Sequence, residues 1–478
     1  MCIRDSSISD CMRCGKCKPV CTTHIPRANL LYSPRNKILA TSLLIEAFLY
    51  EEQTRRGISL KHFDEFNDVA DHCTVCHKCL NPCPVNIDYG DVSISMRNFL
   101  REHGRKRFNA GTLLGMSYLN LKDPLTIKLM RKFMIDFGYR AQRFGYNFLK
   151  KIKAVNYFKK NPPPTVGQKS IATQVVHFLN RPMPKNIPTK TSRGLLGIED
   201  DKTVPIIRNH QIIDDNSEAV FYFPGCGSER LFSQVGLATQ AMLYEVGAIT
   251  VLPPGYLCCG YPQTSSGNHD KGQEITTDNR VQFHRVANTL NYLDIKTVIV
   301  SCGTCMDQLQ KYEFEKIFPD CRLLDIHEYL MEKGVKMEGV NGQHYMYHDP
   351  CHSPMKTYNS LDVTKSLMDK EVILNERCCG ESGTFAVSRP DVATQVKMRK
   401  QEEIEKGLKE ISPTNKNESV KILTSCPSCL QGLARYGEDT STTTDYIVVE
   451  LAKNNLGDQW LEEYVEKATN GGIEKILL

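Results

Sequence analysis

Cys11, Cys14, Cys17 and Cys21 are spaced C-x2-C-x2-C-x3-C, and Cys73, Cys76, Cys79 and Cys83 repeat that spacing. Thiolates set this close wrap one corner of a cubane. Three hold one [4Fe–4S] cluster while the fourth reaches over to its neighbour. On that pattern Cys11, Cys14, Cys17 and Cys83 would hold one cluster, and Cys73, Cys76, Cys79 and Cys21 the other. Pro84 follows Cys83 as the pattern expects, whereas Thr22 follows Cys21 and departs from it. Zinc is the competing occupant, but a tetrahedral zinc site built from two cysteine pairs leaves the evenly spaced third cysteine without a role.

Ten later cysteines form a second kind of site, and they form it twice. Cys226, Cys258, Cys259, Cys302 and Cys305 read C-x31-CC-x42-C-x2-C. Cys351, Cys378, Cys379, Cys426 and Cys429 read C-x26-CC-x46-C-x2-C. Adjacent cysteines in a regular strand point to opposite faces, so each doublet must lie in a turn to serve one site. Gly260 and Gly380 follow the doublets and supply the backbone freedom. Each C-x2-C pair is expected to open a helix, whose N-terminal dipole favours thiolates and an anionic cluster. His348 and His352 flank Cys351 in the run HDPCH. They could donate hydrogen bonds to cluster sulfur or relay protons; the competing reading is turn residues satisfied by backbone. Cys321 reads as a small core residue and His327 as a packed histidine. Cys2 is assigned no role.

Three groups of elements must carry these residues. Leu43–Gln53 and His62–His72 have mixed apolar and charged helical patterning, so residues 1–100 read as a helical ferredoxin module holding two clusters. Residues 101–160 read as a basic amphipathic helical segment. Met130, Met134, Phe137, Ala141, Phe144, Phe148, Ile152 and Val155 fall at helical spacing with Lys and Arg between them. From Arg97 to Lys160 there are sixteen Lys/Arg against three acidic residues, in a chain whose net charge is only +5. The segment is expected either to dock its apolar face on the protein itself or to meet a membrane surface or acidic partner. Nucleic acid is disfavoured because no recognised binding fold accompanies it. Pro162–Pro164 should end the helix, and Pro182, Pro184, Pro188 and Pro205 mark 161–215 as a linker.

Beyond it, Cys226 to Cys351 is 125 residues, Cys258 to Cys378 is 120 and Cys302 to Cys426 is 124, so the two units are a duplicated domain, 216–340 and 341–478. In each, strands (Val220–Phe223, Val298–Val300; Tyr345–Tyr347, Lys421–Leu423) alternate with helical stretches. The expected fold is therefore multidomain: an α-helical ferredoxin module followed by a duplicated α/β cysteine-rich domain with largely parallel sheets. With 478 residues, several cores are required. No apolar run is long enough to span a bilayer and no secretory h-region precedes Cys11, so thiol-rich metal sites in a reducing, cytoplasmic setting are expected.

On these motifs the chain resembles the cysteine-rich "CCG" domain family, found in heterodisulfide reductase catalytic subunits and in iron–sulfur subunits of glycolate and lactate oxidation systems. A two-cluster helical ferredoxin followed by two such domains resembles the glycolate oxidase iron–sulfur subunit and the heterodisulfide reductase D-type subunit. The stretch from Cys73 to Lys150 looks closer still to the C-terminal half of fused FAD-linked D-lactate or D-2-hydroxyacid dehydrogenases. The resemblance implies that each five-cysteine set holds a noncubane [4Fe–4S] cluster, because one thiolate more than a cubane needs must bridge irons. Zinc or an ordinary cubane occupies depleted sets, and neither set here is depleted. No dinucleotide fingerprint, P-loop, nucleophile elbow or zinc-protease motif is present, so FAD is expected on a partner flavoprotein or on a domain ahead of the ferredoxin module. With the chain starting ten residues before Cys11, it reads as either a piece of such a fusion or a separate subunit. The implied function is electron transfer from flavin toward quinone or another acceptor, in the cytoplasm or peripheral to the inner membrane face. The alternative is an enzyme that reduces a disulfide at its CCG clusters.

Overall fold

The computed structural model describes residues 8–24, 32–54, 57, 60–155, 163–167, 169–185, 187–214, 216–337, 342–381, 384–411 and 419–478. Cys2 and Pro162 lie outside the described residues. The N-terminal region is helical: Pro34–Gln53, Leu60–Asp71 and Tyr89–Glu102 pack around Phe48, Phe63, Phe66, Met96 and Phe99. Ser33 caps the first of these with Pro34 at its opening position, and Asp88 caps the third. One cysteine loop precedes Pro34–Gln53 and the other lies between Leu60–Asp71 and Tyr89–Glu102; they contain positive-φ residues at Arg13, Val75 and His77.

Two sheets follow. The first has strand order β10-β1-β3-β2-β4-β5 and the second β7-β6-β8-β9. Here β1 is Thr203–Ile207, β2 Ala219–Phe223, β3 Ile249–Val251, β4 Ile295–Val300 and β5 Arg322–Asp325. In the second sheet β6 is Gln343–His348, β7 Val372–Asn375, β8 Ser419–Thr424 and β9 Thr443–Tyr446; β10 is Ile473–Leu477. The order β3-β2-β4-β5 matches β7-β6-β8-β9, and every pair within those sets is parallel. The α/β duplication expected from the cysteine spacing is therefore present. Residues 161–215, expected as linker, carry the helix Ile171–Phe178, the helix Ser192–Leu196 and strand β1. Strand β1 pairs antiparallel with β3 and β10, so the chain's last strand returns to the first sheet rather than the second. Pro205 opposes Lys475 of β10 and its carbonyl accepts from the Leu252 N–H at 3.0 Å, while the paired register with β3 begins only at Ile206, so its missing N–H interrupts the ladder little.

One apolar core joins the sheets. Val220 and Tyr222 of β2, Tyr345 and Tyr347 of β6, Leu423 of β8 and Tyr446 of β9 share it, with the helices Ser233–Glu245 and Ile447–Leu456 packed over them. The repeats also meet reciprocally beside their cysteines. A Cβ at Gly227, next to Cys226, would lie 3.0 Å from Pro427, next to Cys426. At Gly303, next to Cys302, a Cβ would collide with the carbonyl oxygen of His352, next to Cys351. Gly303→Ala is expected to push the repeats apart and lower stability by about 3 kcal/mol, the upper range for overpacking a close contact. A thermal melt comparing it with Gly334→Ala checks this, since a Cβ at Gly334 meets nothing within 4 Å although φ there is +74°.

The basic segment is helical at Ala110–Asn120, Pro124–Arg131 and Gly138–Lys151, with a π turn at Lys132–Phe137 between the last two. Its orientation differs from a simple apolar-face docking. Ile127, Arg131, Ile135, Gln142 and Tyr146 face inward, and Arg131 donates to the carbonyls of Thr189, Pro188 and Arg230. Of the expected apolar stripe, Val155 is buried and Met130 and Met134 partly so, but Phe137, Ala141, Phe144, Phe148 and Ile152 are exposed. The inward positions hold polar groups with specific partners, which periodicity of apolar residues does not detect.

The N-terminal helical region is welded to the second repeat by buried charge. Arg389 donates to Asp68 (2.8 Å) and to Asp391 (3.0 Å), and the Asp68 carboxylate also accepts from Tyr32. The carboxylate of Asp391 is held below its usual range by Arg389, which overcomes the opposing effect of burial. Among the described residues, no helix is long and apolar enough to cross a membrane.

Candidate metal centres

The duplicated fold explains why three separated cysteine motifs meet. In the first repeat Cys226 follows β2, Cys258–Cys259 follow β3 and Cys302 follows β4, and these three strands are neighbours. All three loops leave from carboxyl ends of parallel strands, where ligand sites gather in such sheets. Strands β6, β7 and β8 do the same for Cys351, Cys378–Cys379 and Cys426. The doublets are turned by Gly260 (φ +87°) and Gly380 (φ +80°). Cys302 and Cys426 stand at the N-caps of the helices Gly303–Leu309 and Pro427–Ala434, as the dipole argument requires. Eight of the ten thiols are buried; Cys226 and Cys351 are half-buried.

Thiol chemistry in these pockets is strongly perturbed. Within the first repeat, Cys258 is held well below the usual thiol range by hydrogen bonds from Cys226 and Cys259, while Cys226 and Cys305 are held well above it by neighbouring thiols and burial. In the second, Cys378 is lowered by Cys351 and Cys379, and Cys379 is pushed up to about 12 by Cys378 and burial. Close-packed buried thiols cannot all ionise without a cation among them, so this donor set fits iron or another thiophilic metal better than a set of free thiols. Backbone N–H groups already point at sulfur: Gly380 to Cys378 at 3.4 Å, Val75 to Cys73 at 3.3 Å and Ile87 to Cys83 at 3.3 Å.

In the helical region a small cavity is lined by Cys21, Cys73, Cys76 and Cys79 with Thr22, Lys37 and Tyr89. Cys21 thus lies with the second loop's cysteines. The departure at Thr22 has a local reason: its hydroxyl meets Thr74 Oγ1 at 2.9 Å and Cys76 Sγ at 3.8 Å. Cys11 and Cys17 are half-buried against the same helical core as Cys83, and Cys14 is exposed. Burial raises Cys17, with Cys21 and Cys11 close enough to add repulsion.

Two contacts connect the sets. Cys76 of the helical region interacts directly with Cys351 of the second repeat, and this partner is the main cause that holds Cys76 down to about 5. Cys302 of the first repeat likewise interacts with Cys426 of the second. Thiol sets from three parts of the chain therefore stand side by side.

His352 stitches the same junction. Its Nε2 lies 2.8 Å from the Val75 carbonyl and 3.1 Å from the Tyr261 hydroxyl, and its Nδ1 contacts Asp307. Val75 is β-branched with φ +53°, so these partners hold a strained loop residue between two cysteines. Asp307, Tyr261 and Val75 had no signal in the sequence. Only proximity across three regions gives them a role. Cys321 is buried in the first repeat's apolar cluster, as expected, and His327 is fully buried with Nδ1 2.6 Å from Asp325.

Comparisons with known proteins agree with this layout. A 4Fe-4S dicluster domain matches residues 7–87, the cysteine-rich (CCG) domain matches 220–310 and 345–434, and a domain of unknown function (DUF3400) matches 434–478. The chain is 23% identical over 447 residues to a protein described as a probable glycolate oxidase iron-sulfur subunit of Bacillus subtilis, covering 89% of this chain and 88% of that one. It is 22% identical over 424 residues to the glycolate oxidase iron-sulfur subunit of Escherichia coli, covering 86% of this chain and 88% of that one. It is 24% identical over 201 residues to lactate utilization protein A of an Exiguobacterium species, covering 37% of this chain and 77% of that one. No solved structure matches. The chain carries one 4Fe-4S dicluster domain and two copies of the cysteine-rich domain.

Proposed function

With a dicluster domain and two cysteine-rich domains meeting at their thiols, we propose that the chain is the iron–sulfur electron-transfer component of a flavin-linked 2-hydroxyacid dehydrogenase of D-lactate or glycolate type. The observation that carries this reading is the continuity of the sites through Cys76 beside Cys351 and Cys302 beside Cys426. The names of the glycolate and lactate relatives support the substrate class. Cys11, Cys14, Cys17 and Cys83 hold one cubane and Cys73, Cys76, Cys79 and Cys21 the other. The two five-cysteine sets hold noncubane [4Fe–4S] clusters. Bound there, such clusters accept and release electrons one at a time, and the residues around them set the potentials. The protein's own work is to keep the four sets adjacent, to bury the later two from water and to direct backbone N–H groups at sulfur. FAD resides on a partner flavoprotein or a domain outside this sequence, and the final acceptor is a quinone or another carrier. Iron and acid-labile sulfide in comparable amounts in anaerobically loaded protein are expected. Bound zinc with almost no sulfide overturns the reading.

The exposed stripe gives this component a place to work. Leu125, Leu129, Phe133, Phe137, Phe144, Phe148 and Ile152 are 57–77% exposed, with exposed Lys132, Arg140 and Lys151 among them, while Lys128 and Lys150 pair with Glu199 (3.1 Å) and Glu438 (2.8 Å). A narrow aromatic stripe rimmed by cations fits an anionic bilayer surface, where the apolar side chains sink and the basic ones meet headgroups. Flotation with anionic vesicles at low salt is expected to carry the protein upward. Replacing Phe144 and Phe148 by serine should weaken that binding at least about tenfold, since each buried aromatic contributes about 1.5–3 kcal/mol. Absence of flotation at low salt contradicts the membrane role.

A second reading rests on the Cys302–Cys426 contact, which joins both repeats into one combined centre. There the paired CCG sites would themselves reduce a disulfide.

A further inference from the structure

The duplicated sites differ at two matched positions. Three residues before the single cysteine, β2 ends on Phe223 whereas β6 ends on His348. Phe223 is buried in the apolar cluster that contains Cys259, Cys302 and Cys305. The second position lies on the long helix behind each doublet. Gly260 faces Thr276 and Gly380 faces Lys397, so the residue three further on is Asn279 in the first repeat and Lys400 in the second. Asn279 donates to the Cys258 carbonyl at 2.8 Å. Lys400 instead reaches Asn375 Oδ1, the Asn375 carbonyl (3.2 Å), Glu403 (3.1 Å) and His348 Nδ1 (2.9 Å).

The imidazole is fully buried, and its Nε2 has no hydrogen-bond partner. A ring nitrogen of His348 and the sulfur atoms of Cys379 and Cys429 all lie within 4.8 Å of one another. Nδ1 is 3.0 Å from the Asn375 carbonyl oxygen. Nδ1 also lies 2.9 Å from Lys400 Nζ, whose three N–H groups have oxygen acceptors in Asn375 Oδ1, the Asn375 carbonyl and Glu403; in the tautomer that ligation requires, Nδ1 donates to the Asn375 carbonyl and the lone pair is on Nε2. An imidazole whose far nitrogen is fixed by a carbonyl is the usual arrangement of a histidine that ligates metal.

We propose that His348, through Nε2, is an iron ligand of the second repeat's centre, and that the first repeat, with Phe223, has a purely cysteine-ligated one. Asn375, with Lys400 behind it, is the positioning pair that fixes the tautomer. The two centres are then chemically unlike, and the nitrogen-ligated one has the higher reduction potential, as imidazole in place of thiolate gives at other clusters. Electrons arriving from the helical region through the Cys76–Cys351 contact therefore meet the better acceptor first.

The inference rests on the iron–sulfur reading, so iron and sulfide are measured on the same sample. Their absence defeats that reading, whereas the nitrogen coupling of a loaded sample addresses His348 alone. Loaded full-length protein is prepared with natural-abundance and with 15N-labelled histidine, partly reduced, and studied by pulsed EPR. A hyperfine coupling of directly bound nitrogen that changes with the histidine label is the expected result, and this measurement needs no variant. In His348→Phe, which installs the first repeat's residue, that coupling should vanish and one midpoint potential should fall while the other signals stay in place. Iron-loaded protein without a histidine coupling of ligand strength overturns the proposal. So does a coupling that survives in His348→Phe.

Discussion

Cys76→Ala is expected to leave the ten later thiols able to load metal while reducing the rate at which a flavoprotein donor reaches them by at least about 100-fold, the upper range seen even for indirect disturbance of metal sites. Cys76 has two parts in the proposed row. It is one of the four thiols at the helical cavity, and it is the thiol in contact with Cys351. On the proposed assignment, removing it takes away one cluster's worth of iron and sulfide and the point where the helical region meets the second repeat. Its low pKa, about 5, comes first from the Cys351 hydrogen bond. Cys14→Ala, at an exposed thiol farther from this junction, should cost iron without altering the spectra of the later centres. Stopped-flow reduction followed at both kinds of centre distinguishes the two variants. Equal transfer rates in Cys76→Ala and the unaltered protein would remove the row as a pathway.

Glu381→Gln should be the most destabilising single change near a doublet. Glu381 follows Cys379–Gly380 and is buried between Lys397 (3.1 Å), Arg435 (3.3 Å) and Gln431 (2.9 Å). Its carboxyl is held below the usual range because Lys397 and Arg435 outweigh burial. Lys397 is pushed down to about 8 by burial and by Arg435, with Glu381 opposing. Removing the carboxylate strands two buried cations, a loss of about 3–5 kcal/mol at pH 7. The pH dependence has a definite sign. A lysine whose pKa is lower in the folded protein binds fewer protons there than when unfolded, so its unfavourable contribution is complete below about 8 and fades as the pH rises toward the ordinary 10.5. Without Glu381 the Lys397 pKa falls further. The deficit of Glu381→Gln relative to the unaltered protein should therefore narrow between pH 7 and 9. Denaturant unfolding at the two pH values measures it, and a deficit under about 1 kcal/mol at pH 7 would show that the cluster contributes little.

Much of this arrangement was legible in the sequence because cysteine spacing is dictated by cluster geometry and survives changes elsewhere. The duplication, the turns at Gly260 and Gly380 and the helices opened by Cys302 and Cys426 all follow from spacing and residue type. What could not be read is the meeting of the parts. Nothing local in Val75, Tyr261, Asp307 or His352 shows that they form one junction across sequence separations of up to 277 residues. Strand β1 was hidden for a different reason: Pro205 and its neighbours resemble a linker, and only pairing with β3 and β10 makes them a strand. The phenylalanine stripe reads as a core face by periodicity, yet Arg131, Gln142 and Tyr146 occupy the inward side through specific hydrogen bonds. Periodicity identifies an amphipathic helix but not which face its surroundings accept.

The central claim is that this chain receives electrons from a flavin that oxidises a 2-hydroxyacid. Anaerobically loaded full-length protein, mixed with a flavoprotein dehydrogenase and D-lactate or glycolate and followed by freeze-quench EPR, tests it directly. The account predicts that the cubane signals appear first and those of the later centres next, only when both hydroxyacid and flavoprotein are present. Centres that stay oxidised in that mixture, while dithionite-reduced protein alone reduces a disulfide, would contradict it.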